Sequence, residues 1–458
     1  MLKLPVTFSS LLIVAAFFQT WAFTAVATAP RVAIIGGGVG GSSVAYFLNE
    51  LLPKSQIEIF ERSGLVGGRV NVTTVMGNGY ETGGSIIHGK NKYAVDLAEK
   101  FGFEKKVDSG EAMSIQKGDE YVLNTSKWTV ITVLKVLYRY GFNYNRLSKM
   151  INGFIDEFST IYELQEKGKI FHTPDEMLEA MSPNLLNLTK GDTRSLLKSL
   201  DFSENFIEEL VQAITYVNYG QDLSIHSFVG SVAAAGADAD LWSVRGGNRE
   251  LPKSLVEGSK SKLHLNTAVT EIVNLKDGTY KLMSNSQPLG VFDHVVLAYP
   301  IEGTRSSIQF TDFEKTPYIS GNKKFHRTVA TIVAGHVKTN FKWRADILTC
   351  DASHFYTSLS LLHPTILLVA EKYPVYKIFS PKELTKEQLN EIFEEIHHVE
   401  VHDWLAYPEY DTIPPKFPSF VLQPKLYYLN AVEWAASAIE MSLISGKNIA
   451  LMISKEYQ

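Results

Sequence analysis

The sequence predicts an α/β protein of two interleaved lobes: a Rossmann-type nucleotide-binding lobe and an α+β lobe. Three observations predict it. The chain has 458 residues, about three times the length of one ordinary domain. A strand–glycine–helix–strand unit occupies residues 32–61, and segments suited to the same lobe return at 293–300 and from 427 onward. Apolar residues make up 45% and charged residues 20%, which excludes disorder, collagen and coiled coil. The net charge of -5 argues against a nucleic-acid binder that works by neutralising phosphates. A single cysteine, Cys350, excludes an intrachain disulfide, a CxxC redox motif and a thiolate zinc cluster.

The first element is a targeting segment. Lys3 precedes the apolar run from Leu11 to Phe18, and Ala25-Val26-Ala27 has the small-x-small form of a cleavage site. Residues 1–27 are expected to be a cleaved signal peptide, with an uncleaved anchor as the alternative. No later window is apolar for the roughly eighteen residues a span needs, so the rest is expected to be lysosomal or secreted. The sequons at Asn71, Asn124 and Asn187 agree with that route, although Asn71 sits beside a cofactor loop.

Val32-Ala33-Ile34-Ile35 reads as a buried strand, followed at once by Gly36-x-Gly38-x-x-Gly41 and a helix from Ser42 to Leu52. Gly36 permits the tight turn, Gly38 the close approach of a pyrophosphate, and Gly41 the close packing of helix on strand. The helix N-terminus offers unpaired N–H groups to phosphate oxygens. Gln56 to Glu61 reads as the second strand, and Glu61 lies twenty residues after Gly41, where a carboxylate accepts ribose hydroxyls. A lone GxGxxG is weak; the whole unit is strong.

Gly67-Gly68-Arg69 follows Glu61 closely, and Gly83-Gly84-Ser85-Ile86-Ile87-His88 comes soon after. This spacing resembles the flavin amine-oxidase superfamily, whose members extend the fingerprint with Glu-x5-Gly-Gly-Arg, and the resemblance implies FAD. Further stretches are similar to the prenylcysteine oxidase (farnesylcysteine lyase) family: Val217-Asn218-Tyr219-Gly220-Gln221, Leu241 to Asn248, Trp404 to Pro408, Tyr427 to Glu433 and Ala435 to Met441. The resemblance covers essentially residues 31–458. It implies a luminal FAD enzyme that uses O2 and water to cleave the thioether of S-farnesyl-cysteine or S-geranylgeranyl-cysteine. The products are cysteine, an isoprenoid aldehyde and H2O2. A weak association with a membrane or lipid particle would suit such a substrate, though no residue pattern demonstrates it. The family often has Cys after the glutamate at 433, where this chain has Trp434.

The expected division is an FAD lobe at 31–90, 241–300 and 421–458, with a substrate lobe at 91–240, largely helical, and 301–420. Helical patterns cover Tyr93–Phe101, Trp128–Tyr140, Leu147–Glu166, Asp175–Met181 and Ser203–Val217, and Lys262–Met283 reads as strand, turn, strand, with Val269 in the first. The candidate cofactor-binding set is Gly36, Gly38, Gly41, Glu61, Arg62, Gly67, Gly68, Arg69, Gly83, Gly84, Ser85, Val269 and Glu433. His88, Tyr219 and Gln221 are the candidate catalytic side chains, with Trp242 and Arg245 expected in the pocket floor. No metal is expected: His397, His398 and His402 near Glu400 lack ligand spacing and read as a solvated surface. The apolar helix from Trp128 could line an isoprenoid tunnel or rest against a membrane surface, although such stripes are more often core. An amine oxidase and a flavin-bearing binding protein without turnover stand as the competing readings.

Overall fold

The computed structural model describes residues 29–107, 112–126, 128–237, 240–301, 308–317, 319, 324–339, 341, 346–410 and 417–458. The expected signal peptide lies outside the described residues.

The nucleotide-binding lobe is a six-stranded sheet in the order Lys262–His264, Gln56–Phe60, Arg31–Ile35, His294–Leu297, Leu426–Tyr428, Val421–Gln423. The first five strands are parallel and the last is antiparallel. A parallel sheet covered on both faces demands continuous apolar strands; Val32, Ala33, Ile34, Val295, Val296 and Leu297 are accordingly fully buried. The helix Val39–Leu51 packs against Glu250–Ser259 and the final helix Ile439–Lys455. A strand from each end of the chain and one from its middle therefore meet in one sheet.

The second large sheet has seven strands in the order Phe393–Pro408, Phe325–Val337, Val375–Ser380, Ser358–Leu362, Asp346–Thr349, Met113–Lys117, Glu120–Asn124. The hairpin Asn71–Val75/Asn78–Gly83 bears on this sheet's long edge strand, where the Thr73 hydroxyl donates to Glu400 at 2.6 Å. Its two-residue loop, Met76-Gly77, has positive φ at both positions (49° and 92°), the primed turn that matches strand twist. The helices between residues 129 and 235 stack against one end of this sheet and against the final helix.

Several boundaries differ from the sequence reading. The segment 91–240 is not purely helical, because its strands at 113–117 and 120–124 extend the seven-stranded sheet. The helix Lys92–Lys100 packs on the final helix and so lies with the nucleotide lobe. Gln309–Thr311 pairs with Glu271–Asn274 in a small four-stranded sheet, carrying that unit past residue 300. Lys262–Met283 is not one hairpin: Lys262–His264 joins the nucleotide sheet, and the chain turns at Asn266 (φ 52°) before Glu271–Asn274 pairs elsewhere. Val269 therefore lies between strands rather than in one. The helix expected over 203–217 begins with a π-turn, Phe206–Val211, before Gln212–Tyr219.

Candidate active site

A cavity of about 1300 Å³ lies between the two large sheets, larger than the ~300–1,000 Å³ usual for one small ligand. Every candidate cofactor residue except Gly41 lines it. Gly41 acts one layer behind: a Cβ there would sit 1.9 Å from the Gly36 carbonyl oxygen, so its hydrogen lets the helix seat on the loop. Gly36 has φ 112°, and a Cβ on it would meet the Ala298 carbonyl oxygen at 2.5 Å. The two glycine loops are bonded together, with Gly67 N–H donating to Gly37 O at 2.9 Å. Glu61 fixes the turn by accepting the Gly37 N–H at 2.8 Å through one oxygen and Ser63 N–H and hydroxyl, both at 2.8 Å, through the other.

Beyond this cradle, the half-buried Arg69 forms an ion pair with the buried Glu433 and donates to the Ala406 carbonyl. Burial alone would lower the arginine pKa, but the Glu433 carboxylate outweighs it and the net direction is up. Asn430 donates to the same carboxylate at 2.9 Å, and the Glu433 carbonyl accepts the Tyr410 hydroxyl at 2.8 Å. Glu433 sits in a short 3-10 turn, Leu429–Trp434, six residues before the final helix starts, so it closes the cavity rather than capping that helix.

The candidate catalytic residues divide. His88 faces the cavity from a two-residue strand paired with Leu241, and its Nδ1 accepts the Lys90 N–H at 3.0 Å, which places the neutral ring's proton on Nε2. Tyr219 also lines the cavity, but its hydroxyl donates to Ser437 O at 3.1 Å, and burial pushes its pKa far above the ordinary value. It acts as an oriented wall, with its ring 5.0 Å from that of Tyr407. Gln221 does not reach the cavity. Its amide donates to Pro408 O at 3.0 Å and accepts Tyr410 N–H at 2.8 Å, because the chain reverses at Gly220 (φ 62°). Its amide thus ties this turn to the chain at Pro408 and Tyr410. Strand alternation likewise turns Leu241 and Ser243 toward the cavity, while Trp242 stacks under Lys105 and Arg245 pairs outside with Glu104. Trp434 is buried against Phe325, away from the cavity. His402 and Glu400 are half-buried against the hairpin, and His397 stacks on Tyr373 at 3.6 Å, so this cluster is not simply solvated.

Sequence reasoning missed the rest of the lining. Lys377, buried in the strand Val375–Ser380, reaches the Ser85 hydroxyl at 3.2 Å and the Glu81 carbonyl at 3.4 Å. A lone lysine inside an apolar strand was the available signal. Glu81 accepts Asn248 N–H at 2.6 Å, and burial pushes its carboxyl pKa up. Trp404 and Tyr407 enter from the long edge strand. Phe154, Ile155, Phe158 and Tyr162 from the helix Asn143–Glu166, with Val232, Ala235 and Met441, form an apolar arm. At its rim Glu440 accepts Tyr93 N–H, Ala94 N–H and the Tyr162 hydroxyl at 2.8, 3.0 and 2.8 Å, and burial raises its carboxyl to about 7.

The residues present suit a long dinucleotide. The glycine cradle leaves room where Cβ atoms would block it, Glu61 stands at the end of the second strand, and the buried Tyr299 hydroxyl and Asn430 Oδ1 in the lining have no hydrogen-bond partner among the described residues. Comparison with known proteins agrees. The family profile described as Prenylcysteine lyase matches residues 123–458, and that of the NAD(P)-binding Rossmann-like domain matches 34–101. Prenylcysteine oxidase 1 of Mus musculus is 33% identical over 454 residues, covering 92% of this chain and 88% of the relative. Among solved structures, a redesigned triple mutant of putrescine oxidase aligns with TM-score 0.62 at 13% identity, covering 93% of this chain and 99% of its own. Cyclohexylamine oxidase from Brevibacterium oxydans gives 0.60 at 16%, with 94% and 99% covered. At such identities the two structures establish the fold alone.

Proposed function

The chain belongs to the prenylcysteine lyase family, and from that premise we propose how its own residues carry out the reaction. It is an FAD-dependent oxidase of S-prenyl-cysteine, using O2 and water to yield cysteine, an isoprenoid aldehyde and H2O2. The observation that carries this reading is one cavity that holds a dinucleotide cradle at one end and an apolar arm at the other.

Bound FAD would supply the two-electron chemistry, hydride removal from the carbon beside the thioether sulfur with O2 as the final acceptor. The glycine loops, Glu61 and Arg62 would hold its nucleotide portion. Gly83, Gly84 and Ser85, supported by Lys377, form the adjoining wall, and the Arg69–Glu433 pair locks the closing segment. Phe154, Ile155 and Phe158 take the isoprenoid chain and exclude water along its length. His88, with its ring proton on Nε2, orients the water that adds to the oxidised carbon, and the hemithioacetal then collapses to aldehyde and thiol.

Entry into the secretory route, ending in the lysosome or outside the cell, is part of the same proposal. Of the three sequons, Asn187 is exposed at a helix end, whereas Asn71 accepts from Arg249 at 3.3 Å and Asn124 from the Ser114 hydroxyl at 2.7 Å. Asn187 is therefore the expected glycan acceptor.

The test is peroxide release from S-farnesyl-cysteine by the purified yellow protein, with spermine and benzylamine as controls. Farnesal and cysteine in matching amounts support the reading, and His88→Ala is expected to lower kcat about 100-fold with flavin content unchanged. A flavin that stays oxidised on anaerobic mixing with S-farnesyl-cysteine would overturn it. Amine turnover would point to an amine oxidase, and silence on every substrate to a binding protein.

A further inference from the structure

The helix Thr129–Tyr140 is apolar on nearly every side, yet only the stripe Thr132, Val136 and Tyr140 faces the protein. A surface helix ordinarily keeps its apolar residues on the core side. Here Trp128 is 73% exposed, Tyr138 95% and Phe142 71%, and Val130, Val133 and Leu134 stand out between them. Contiguous exposure of this kind marks an interaction surface.

Charge narrows the partner. From Tyr121 to Ile155 the sequence holds five basic residues and no acidic one. Arg139 is committed to Glu209 at 2.6 and 2.7 Å, while Lys135, Arg146 and Lys149 are exposed around the apolar face. Apolar residues flanked by cations, with Trp and Tyr at the edges, fit the boundary between lipid headgroups and acyl chains. No helix among the described residues is long and apolar enough to cross a membrane, so the contact would be interfacial.

Position supplies the second argument. The next helix, Asn143–Glu166, begins beside this surface with Phe142 and the exposed Tyr144, and lines the cavity with Phe154, Ile155 and Phe158. Ten residues of helix separate Tyr144 from Phe154, about 15 Å. One helix thus runs from the exposed face to the apolar arm.

We propose that Trp128–Phe142 is an interfacial membrane contact that seats the protein on an anionic lipid surface. There it would take prenylated substrate from the surface toward the arm along the helix Asn143–Glu166. The choice of a lipid occupant rests on the prenylcysteine reading, so binding is measured without substrate. In a flotation assay, the FAD-loaded protein is mixed with phosphatidylcholine vesicles with or without phosphatidylserine. Binding is expected to be at least about tenfold tighter with phosphatidylserine. The double variant Val133→Asp, Leu134→Asp should lose binding at least about tenfold. Its flavin content and its turnover of dispersed S-farnesyl-cysteine should be unchanged, since both side chains are exposed. Lys135→Gln with Lys149→Gln should remove the preference for phosphatidylserine. Failure of the unaltered protein to float with anionic vesicles, or equal flotation of the Asp variant, overturns the proposal. A dimer that the Asp variant converts to monomers, with no vesicle binding, would assign the face to self-association instead. Flotation without peroxide release would remove the reaction and leave the surface standing.

Discussion

The two ends of the cavity are built differently. At the nucleotide end one stretch of chain, 36–69, supplies both glycine loops of the lining, with one carboxylate bonded back onto the loop it serves. At the apolar end the lining comes from residues as far apart in sequence as Phe154, Val232 and Met441. The first end is a local folding problem whose solution is written in spacing. The second exists only after two sheets and several helices have packed.

The largest test of that contrast falls on the clasp between the ends. Arg69→Ala leaves Glu433, 1% exposed, as an uncompensated buried charge, at an expected cost of about 3 kcal/mol or more. Urea unfolding should show the loss, and flavin absorbance per protein should fall with it. A variant of unchanged stability would mean that the closing segment is held by packing alone.

A smaller effect comes from the rim of the apolar arm. The Glu440 carboxyl is raised to about 7 by burial, so folding favours its protonated form. Its contribution is complete below its ordinary pKa of about 4.5 and is lost as pH rises through 7, by up to about 3 kcal/mol. Glu440→Gln, which mimics the protonated group, should narrow the stability difference between pH 5 and pH 7.5. Parallel pH profiles for variant and parent would remove Glu440 as the source.

The smallest effect isolates the apolar end. Phe158→Ala should raise KM for S-farnesyl-cysteine about tenfold, the loss of part of one buried aromatic contact, while bound flavin is unchanged. Loss of flavin in this variant would show that the two ends are coupled.

Much of the site was legible because the relevant signals are short. Gly36, Gly38, Glu61, Gly67, Gly68 and Arg69 could be named from short spacings; at Gly36 and Gly67 a Cβ would collide with neighbouring backbone, at 2.5 and 2.6 Å. His88 was named from its place after a glycine pair, and it faces the cavity. Gln221 and Trp242 were misplaced for a local reason with a tertiary outcome. A left-handed turn at Gly220 and one step of strand alternation decide which side chain points inward, and neither can be oriented until the partner strand is known.

Residue identity at fixed short spacings specifies the nucleotide-binding unit, whereas the family, and the chemistry that comes with it, is legible only through resemblance along many stretches of the chain. Only the tertiary structure decided that Lys377 supports Ser85, that Arg69 holds Glu433, and that Glu440 is buried against Tyr162. It also decided that the apolar helix Thr129–Tyr140 faces outward rather than lining the tunnel. Periodicity records that a face is apolar; what covers that face is settled by where the neighbouring elements pack.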